Sequence, residues 1–247
     1  MDLGLKGRTA LVCGASAGLG LASAEALAAE GANVTMFARR RDELERQADR
    51  IGALAVRGDV ALPQDTERAV TKTLEAFGAV DILVWNSGGP PPGTGSDVTP
   101  DSLEQAVDVM LQPLVRLVRA TLPHLEQSPG GRIIAITSLA AKEPTAHLAL
   151  SNMLRPAVHG YLKTLADEVG PQGITVNCVA PGRIATARLE QLYPEGPTKE
   201  HLAEIPLRRW GRPPEFGDVV CFLASERARY VSGQTLVVDG GLQRALW

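Results

Sequence analysis

The sequence predicts an α/β protein: a doubly wound parallel sheet of about seven strands with helices on both faces. Three observations predict it. Short apolar runs alternate with longer helical patterns along all 247 residues. The strand candidates are apolar almost throughout, as strands covered on both faces must be. A glycine-rich turn follows the first strand and opens the first helix, "VCGASAGLG" at 12–20.

The strand candidates, in order, are 9–14, 33–38, 54–58, 80–85, 132–137, 174–179 and 235–240. Helical patterns lie between them near 19–30, 41–50, 64–77, 101–126, 152–170 and 214–224. In the first, small and apolar residues recur at helical spacing and Gly31 is a natural stop. Parallel strands joined by helices cross over right-handedly, so the sheet winds in both directions. No internal repeat or linker composition divides the chain, and one domain over 1–247 is expected. Two connections are unusual. The segment 88–97 carries three prolines, and 182–215 is far longer than an ordinary loop. Both fall at carboxyl ends of strands, where such sheets bind ligands, and residues around 183–212 read as a substrate lid.

Composition excludes several classes. The chain is 45% hydrophobic and 21% charged, with a formal charge of −3. No basic excess points to nucleic acid, and no run of 18 apolar residues points to a membrane. The start carries no apolar run of the signal-peptide kind. Cys13, Cys178 and Cys221 are isolated, as suits buried thiols in a reducing cytoplasm. The four histidines are scattered, so no metal site is expected.

Gly14, Gly18 and Gly20 are spaced GxxxGxG between strand and helix. Glycines permit the tight turn and let a pyrophosphate reach helix N–H groups; Ser16 adds a hydroxyl. A turn with only a packing role is the alternative. The next strand ends in Ala38, followed by Arg39, Arg40 and Arg41. An acid at that tip suits a ribose 2′-hydroxyl, whereas arginine suits a 2′-phosphate. The expected cofactor is therefore NADP (NADPH) rather than NAD, unless the arginines are only a solvated run.

These residues, with others downstream, resemble the short-chain dehydrogenase/reductase family over nearly the whole chain. The likeness looks nearest to the bacterial 3-oxoacyl-carrier-protein reductases. Gly14 to Gly20 match the family's glycine motif, with Leu19 inside it, and Asp59-Val60 match its adenine-contacting pair. Asn86-Ser87-Gly88 stands for the family's Asn-Ala-Gly. Pro181-Gly182, Ile184 and Thr186 fall in the segment that packs on the nicotinamide, and 205–241 fits the C-terminal pattern. The resemblance implies a Rossmann fold, carbonyl/alcohol redox chemistry, a small-molecule substrate, and a homotetramer or homodimer built on the helices near 101–126 and 152–170.

The family's catalytic set is Asn, Ser, Tyr and Lys. Ser138 matches the serine, with a strand-end capping hydroxyl as the plain alternative. Thirteen residues on, Ser151 stands where the tyrosine belongs. Arg155 replaces the lysine and inherits its place beside the cofactor, and Met110 replaces the asparagine. A serine hydroxyl is a far weaker acid than a phenol, and arginine stays charged, so the usual proton path is altered as a whole.

Three readings follow. The first is an NADP(H)-dependent oxidoreductase whose proton comes from water or another side chain. His147 is the nearest candidate in sequence, with Lys142 and Tyr193 behind it. The second is an NADP(H)-binding protein with little redox activity, in a regulatory or assembly role. The weakest is a cofactor-independent lyase of the halohydrin dehalogenase type. Pro156 adds a structural question: a helix starting late would make Ser151 and Asn152 N-cap residues.

Overall fold

A computed structural model describes residues 2–246. Seven parallel strands form one sheet, in the order β3-β2-β1-β4-β5-β6-β7. They are β1 (Thr9–Cys13), β2 (Asn33–Ala38), β3 (Leu54–Arg57), β4 (Ile82–Trp85), β5 (Arg132–Ile136), β6 (Thr175–Pro181) and β7 (Thr235–Val238). Strand order reverses between β1 and β4, whose pairing matches Leu11 with Leu83. Side chains alternate between faces, so each strand feeds two cores. Val12, Met36, Val84 and Ile134 pack under α1 (Gly18–Ala29) and α9 (Pro213–Ala224). Leu11, Phe37, Leu83 and Ile133 pack under α3 (Pro63–Phe77), α5 (Gln112–Leu125) and α6 (Ala149–Val169). Burial on both faces is why alternation is invisible in the strands' sequence.

The remaining helices are α2 (Arg41–Ile51), α4 (Pro100–Met110), α7 (Ala187–Leu192) and α8 (Lys199–Ala203). The helix expected over 101–126 is two helices that meet at Leu111. Pro113 lacks an N–H and disfavours helical backbone at Gln112, so a ladder bond is lost at this point and the break falls at Leu111. The expected long loop over 182–215 carries α7 and α8. Thr186 and Thr198 cap their first turns by accepting from Leu189 and His201 N–H groups.

α6 does not start late. It begins at Ala149 with Leu148 as N-cap, so Ser151 is its third residue and Pro156 lies inside it. Asn152 does no capping either. Its side-chain amide accepts from the Thr145 N–H (3.0 Å) and donates to the Thr145 carbonyl (2.9 Å), clamping the preceding loop to the helix.

Candidate active site

The reversal of strand order leaves a crevice outside the ends of β1 and β4, and chain ends of β2, β3, β5 and β6 extend it. It is a cleft of about 740 Å³ that reaches from Arg39 to Leu192. The first wall is the turn after β1. Gly14 and Gly18 have φ of 60° and 58°, where a side chain would be strained. Gly20 sits behind the turn, and a Cβ there would meet the Gly14 carbonyl and the Asn86 amide. Asn86, at the end of β4, points its Nδ2 at the Gly14 carbonyl (3.5 Å) and holds the two strand ends together. No acid occupies the first turn of α1, so its N-terminal dipole is open to an anion.

At the tip of β2, Ala38 is buried and presents no carboxylate. Arg40 donates to the Ser16 hydroxyl (3.3 Å), which brings the cation to the glycine turn. Arg39 lies 3.7 Å from Asp59, but its side chain is 76% exposed and free to turn to a ligand. Asp59 also accepts from the Ala61 N–H, and Val60 lines the cleft beside it. Gly88 lines the floor.

The opposite wall is built from β6 and the segment after it. Gly182 lies against Asp239 so closely that a Cβ would collide with it. Ile184 is buried against Gly211, which anchors the returning end of that segment. Thr186 stands beside Gly18 across the cleft, and a Cβ on Gly18 would lie 3.5 Å from its methyl. Pro181 completes this wall.

Ser138, Ser151 and Arg155 converge on the far end. The Ser138 Oγ accepts from the Ala140 N–H (3.1 Å) and caps a short 3₁₀ turn, which leaves its proton free to donate. Ser151 and Arg155 are one helical turn apart on α6 and both face the cleft. Arg155 is 6% exposed. Its Nη1 donates to the Ile136 carbonyl (3.1 Å), and its Nε is buried without a partner. No acid among the described residues lies within salt-bridge distance of it. Burial, aided by Arg188, holds its pKa down to about 10. Met110 is fully buried among Ala106, Leu150 and Leu154, outside the cleft lining.

His147, the nearest proton-donor candidate in sequence, does not line the cleft. It sits in a loop with φ of 59°, exposed, its carbonyl bonded to the Gly93 N–H. Lys142 and Tyr193 are also outside the lining, the latter stacked edge-on against His201 with ring centroids 4.7 Å apart. The imidazole that reaches the wall is His159, unforeseen in the sequence. Its Nε2 lies 2.9 Å from the hydroxyl of Thr137, a lining residue, and its Nδ1 lies 3.3 Å from that of Thr235. The signal was its i+4 spacing from Arg155 and i+8 from Ser151, one stripe of a single helix.

Burial, and then the charges of Arg155 and Lys142, push the His159 pKa from 6.5 down to about 4. The folded ring therefore stays neutral where the unfolded one takes up a proton, and stability falls as pH drops through 6.5 towards 4. After discounting for partial exposure, His159→Gln is expected to reduce that fall by about 1–2 kcal/mol in urea denaturation at pH 7 and 4.5. An unchanged pH dependence would contradict the assignment.

The family profile described as Enoyl-(Acyl carrier protein) reductase matches residues 14–243. The dehydrogenase/reductase SDR family member 4 of Oryctolagus cuniculus is 34% identical over 244 residues, covering 96% of this chain and 94% of that protein. This chain belongs to the short-chain dehydrogenase/reductase family. The L-rhamnose 1-dehydrogenase (NAD(P)(+)) of Sphingomonas sp. (strain SKA58) is 35% identical over 248 residues, 96% of this chain and 97% of the relative. Among solved structures, YwfH, an NADPH-dependent reductase involved in bacilysin biosynthesis, superposes with a TM-score of 0.93 at 28% identity, covering 97% of this chain and 99% of YwfH. The L-sorbose reductase of Gluconobacter frateurii, complexed with NADPH and L-sorbose, gives 0.92 at 32% identity and complete coverage of both chains. The relatives of this family member are thus reductases and dehydrogenases. No helix among its described residues is long and apolar enough to cross a membrane.

Proposed function

We propose that this family member is an NADP(H)-dependent oxidoreductase acting on a carbonyl or alcohol, with a proton route that needs no tyrosine. The whole chain works as one dinucleotide-binding domain, with residues 183–212 as its lid. The observation that carries the reading is the cleft's glycine cradle beside a strand tip bearing arginines and no acid. The α1 N-terminus and the Gly14–Gly20 turn would take the pyrophosphate, and Arg39 and Arg40 a 2′-phosphate. Asp59 and Val60 would flank the adenine; Asn86, Gly88, Pro181, Gly182, Ile184 and Thr186 would enclose the nicotinamide. When bound, the cofactor supplies or accepts the hydride.

The chain's own residues do the rest. The Ser138 and Ser151 hydroxyls would donate hydrogen bonds to the substrate oxygen. Arg155 would place a positive charge beside it and hold a ribose hydroxyl, which favours negative charge developing on that oxygen. None of the three is a proton source near neutral pH, so the proton is drawn from water admitted to the cleft, and His159, neutral there, can relay but not donate outright. The three buried thiols, each with its pKa near 12, suit a reducing compartment, and we assign the cytoplasm. We extend to this chain the assembly usual in the family, a homotetramer or homodimer through the helices of 101–126 (α4 and α5) and α6.

The test is NADPH consumption across a broad carbonyl panel. Turnover that survives in Ser138→Ala and Ser151→Ala at the full rate would remove both hydroxyls from the mechanism. The missing phenol favours a second reading, in which NADPH binds without turnover. Ser151 and Arg155 face the cleft one turn apart, so Ser151→Tyr with Arg155→Lys rebuilds the acid site in place. Reduction appearing only in that double variant supports the second reading.

A further inference from the structure

The cleft has an imbalance of charge that the cofactor assignment does not absorb. Four arginines line it, Arg39, Arg40, Arg155 and Arg188, against one acid, Asp59, in a chain whose net charge is −3. Arg39, Arg40 and Asp59 are together at the β2 tip and are answered by phosphate there. Arg155 and Arg188 are at the other end, where no acid lines the wall.

Both guanidiniums are held in place by carbonyls rather than by carboxylates. Arg155 donates Nη1 to Ile136, which leaves its Nε buried and unpaired and its Nη2 without a partner among the described residues. Arg188, on α7, donates Nη2 to the Pro90 carbonyl (3.0 Å) and forms no salt bridge with any described residue. That bond ties α7 to the proline-rich segment after β4 and holds the exposed cation in the lining of the cleft. Both side chains line the one cleft, and the charge of Arg188 adds to burial in lowering the Arg155 pKa. Ser151, small and buried, lines the cleft one helical turn before Arg155, and its hydroxyl has no hydrogen-bond partner among the described residues.

Two like charges facing one water-filled space repel each other, and a buried guanidinium without an anion is costly. A neutral sugar or alcohol relieves neither. A carboxylate relieves both, because its two oxygens accept from forked N–H groups and its charge falls between the cations. Resting on the reading above, we infer that the substrate of this site is an oxo acid (or the matching hydroxy acid), whose carboxylate is bound by Arg188 with Arg155 behind it. Arg188 is then a specificity-determining residue, and α7 closes on the substrate through it.

The experiment uses the full chain saturated with NADPH, so that the β2-tip arginines are occupied. Quenching of bound-nicotinamide fluorescence is titrated with three acids, benzoylformate, 4-formylbenzoate and benzoate, and with the methyl esters of the first two and benzamide. NADPH oxidation is followed for the four carbonyl compounds. At least one acid is expected to bind ten-fold or more tighter than its neutral partner, with the preference shrinking as salt rises. Arg188→Gln is expected to remove most of that preference with NADPH affinity unchanged, and Arg188→Lys to restore part of it. Equal binding of acids and neutral partners, no binding of any acid, or a preference that survives in Arg188→Gln would overturn the inference. Failure of NADPH itself to bind would instead overturn the cofactor reading beneath it. NADPH binding and acid preference without turnover would leave the anion site standing and remove the redox half.

Discussion

The double substitution Arg39→Ala, Arg40→Ala is expected to weaken NADPH binding by about 100-fold or more and NADH binding by no more than about three-fold. A charge-assisted hydrogen bond is worth roughly 1.5–3 kcal/mol, and two such bonds to a phosphate carry that loss. Neither arginine is committed to the fold. Arg39 is mostly exposed and its pairing with Asp59 is long, while Arg40 only touches Ser16. Removing them therefore costs little stability, since exposed ion pairs contribute about 0–1 kcal/mol. Fluorescence titration of both cofactors at fixed ionic strength measures the two losses. A wild-type protein that prefers NADH, or a variant that loses both cofactors equally, would reverse the assignment.

Gly20→Val is expected to abolish measurable cofactor binding, a loss of more than about 100-fold, and to destabilise the fold by about 1–3 kcal/mol. A side chain there meets the Gly14 carbonyl carbon at 2.8 Å and the Asn86 amide nitrogen at 2.9 Å. Neither neighbour can give way cheaply: one is backbone and the other ties β4 to the turn. Relief requires the turn to open, which moves the N–H groups that the proposed cofactor phosphate would meet. Gly78→Ala is the matched control. It has a φ of 75° and no neighbour within 4 Å, so it strains a distant turn and leaves the cleft alone. Its expected effect is about 1 kcal/mol of stability with unchanged cofactor affinity. Urea denaturation and titration of both variants separate collision from strain.

The strands and most helices were legible because local signals agree there. Apolar runs of strand length and the glycine stop at Gly31 coincide with the observed boundaries. The helix over 101–126 was misread because periodicity runs smoothly across Leu111, whereas Pro113 removes the hydrogen bond that continuity needs. The start of α6 was a question that the sequence left open. Pro156 argued for a late start, yet packing of Leu150 and Leu154 against α4 holds the first turns helical despite it. The candidate site was legible where its residues sit next to strand ends, because chain position there implies spatial position. His159 and Arg188 were missed because nothing along the chain marks which residue of a helix faces a cleft.

The sequence by itself determined the family, the parallel sheet, the glycine turn and the identities of the three residues, Met110, Ser151 and Arg155, that stand at the family's Asn, Tyr and Lys positions. It could do so because glycine spacing, strand composition and residue identity are local properties. The tertiary structure alone decided what those replacements face. It put Ser151 in the helix rather than at its cap, and it left Arg155 buried without an acid. It also left His147 outside the cleft lining and brought Arg188 into it. These outcomes depend on which side chains a folded chain brings together across 33 to 98 residues of separation, as Arg155 with Arg188 and Arg188 with Pro90. No local pattern encodes that. The charge left unbalanced in the cleft is a property of the assembled site, and it is what narrows the search for a substrate.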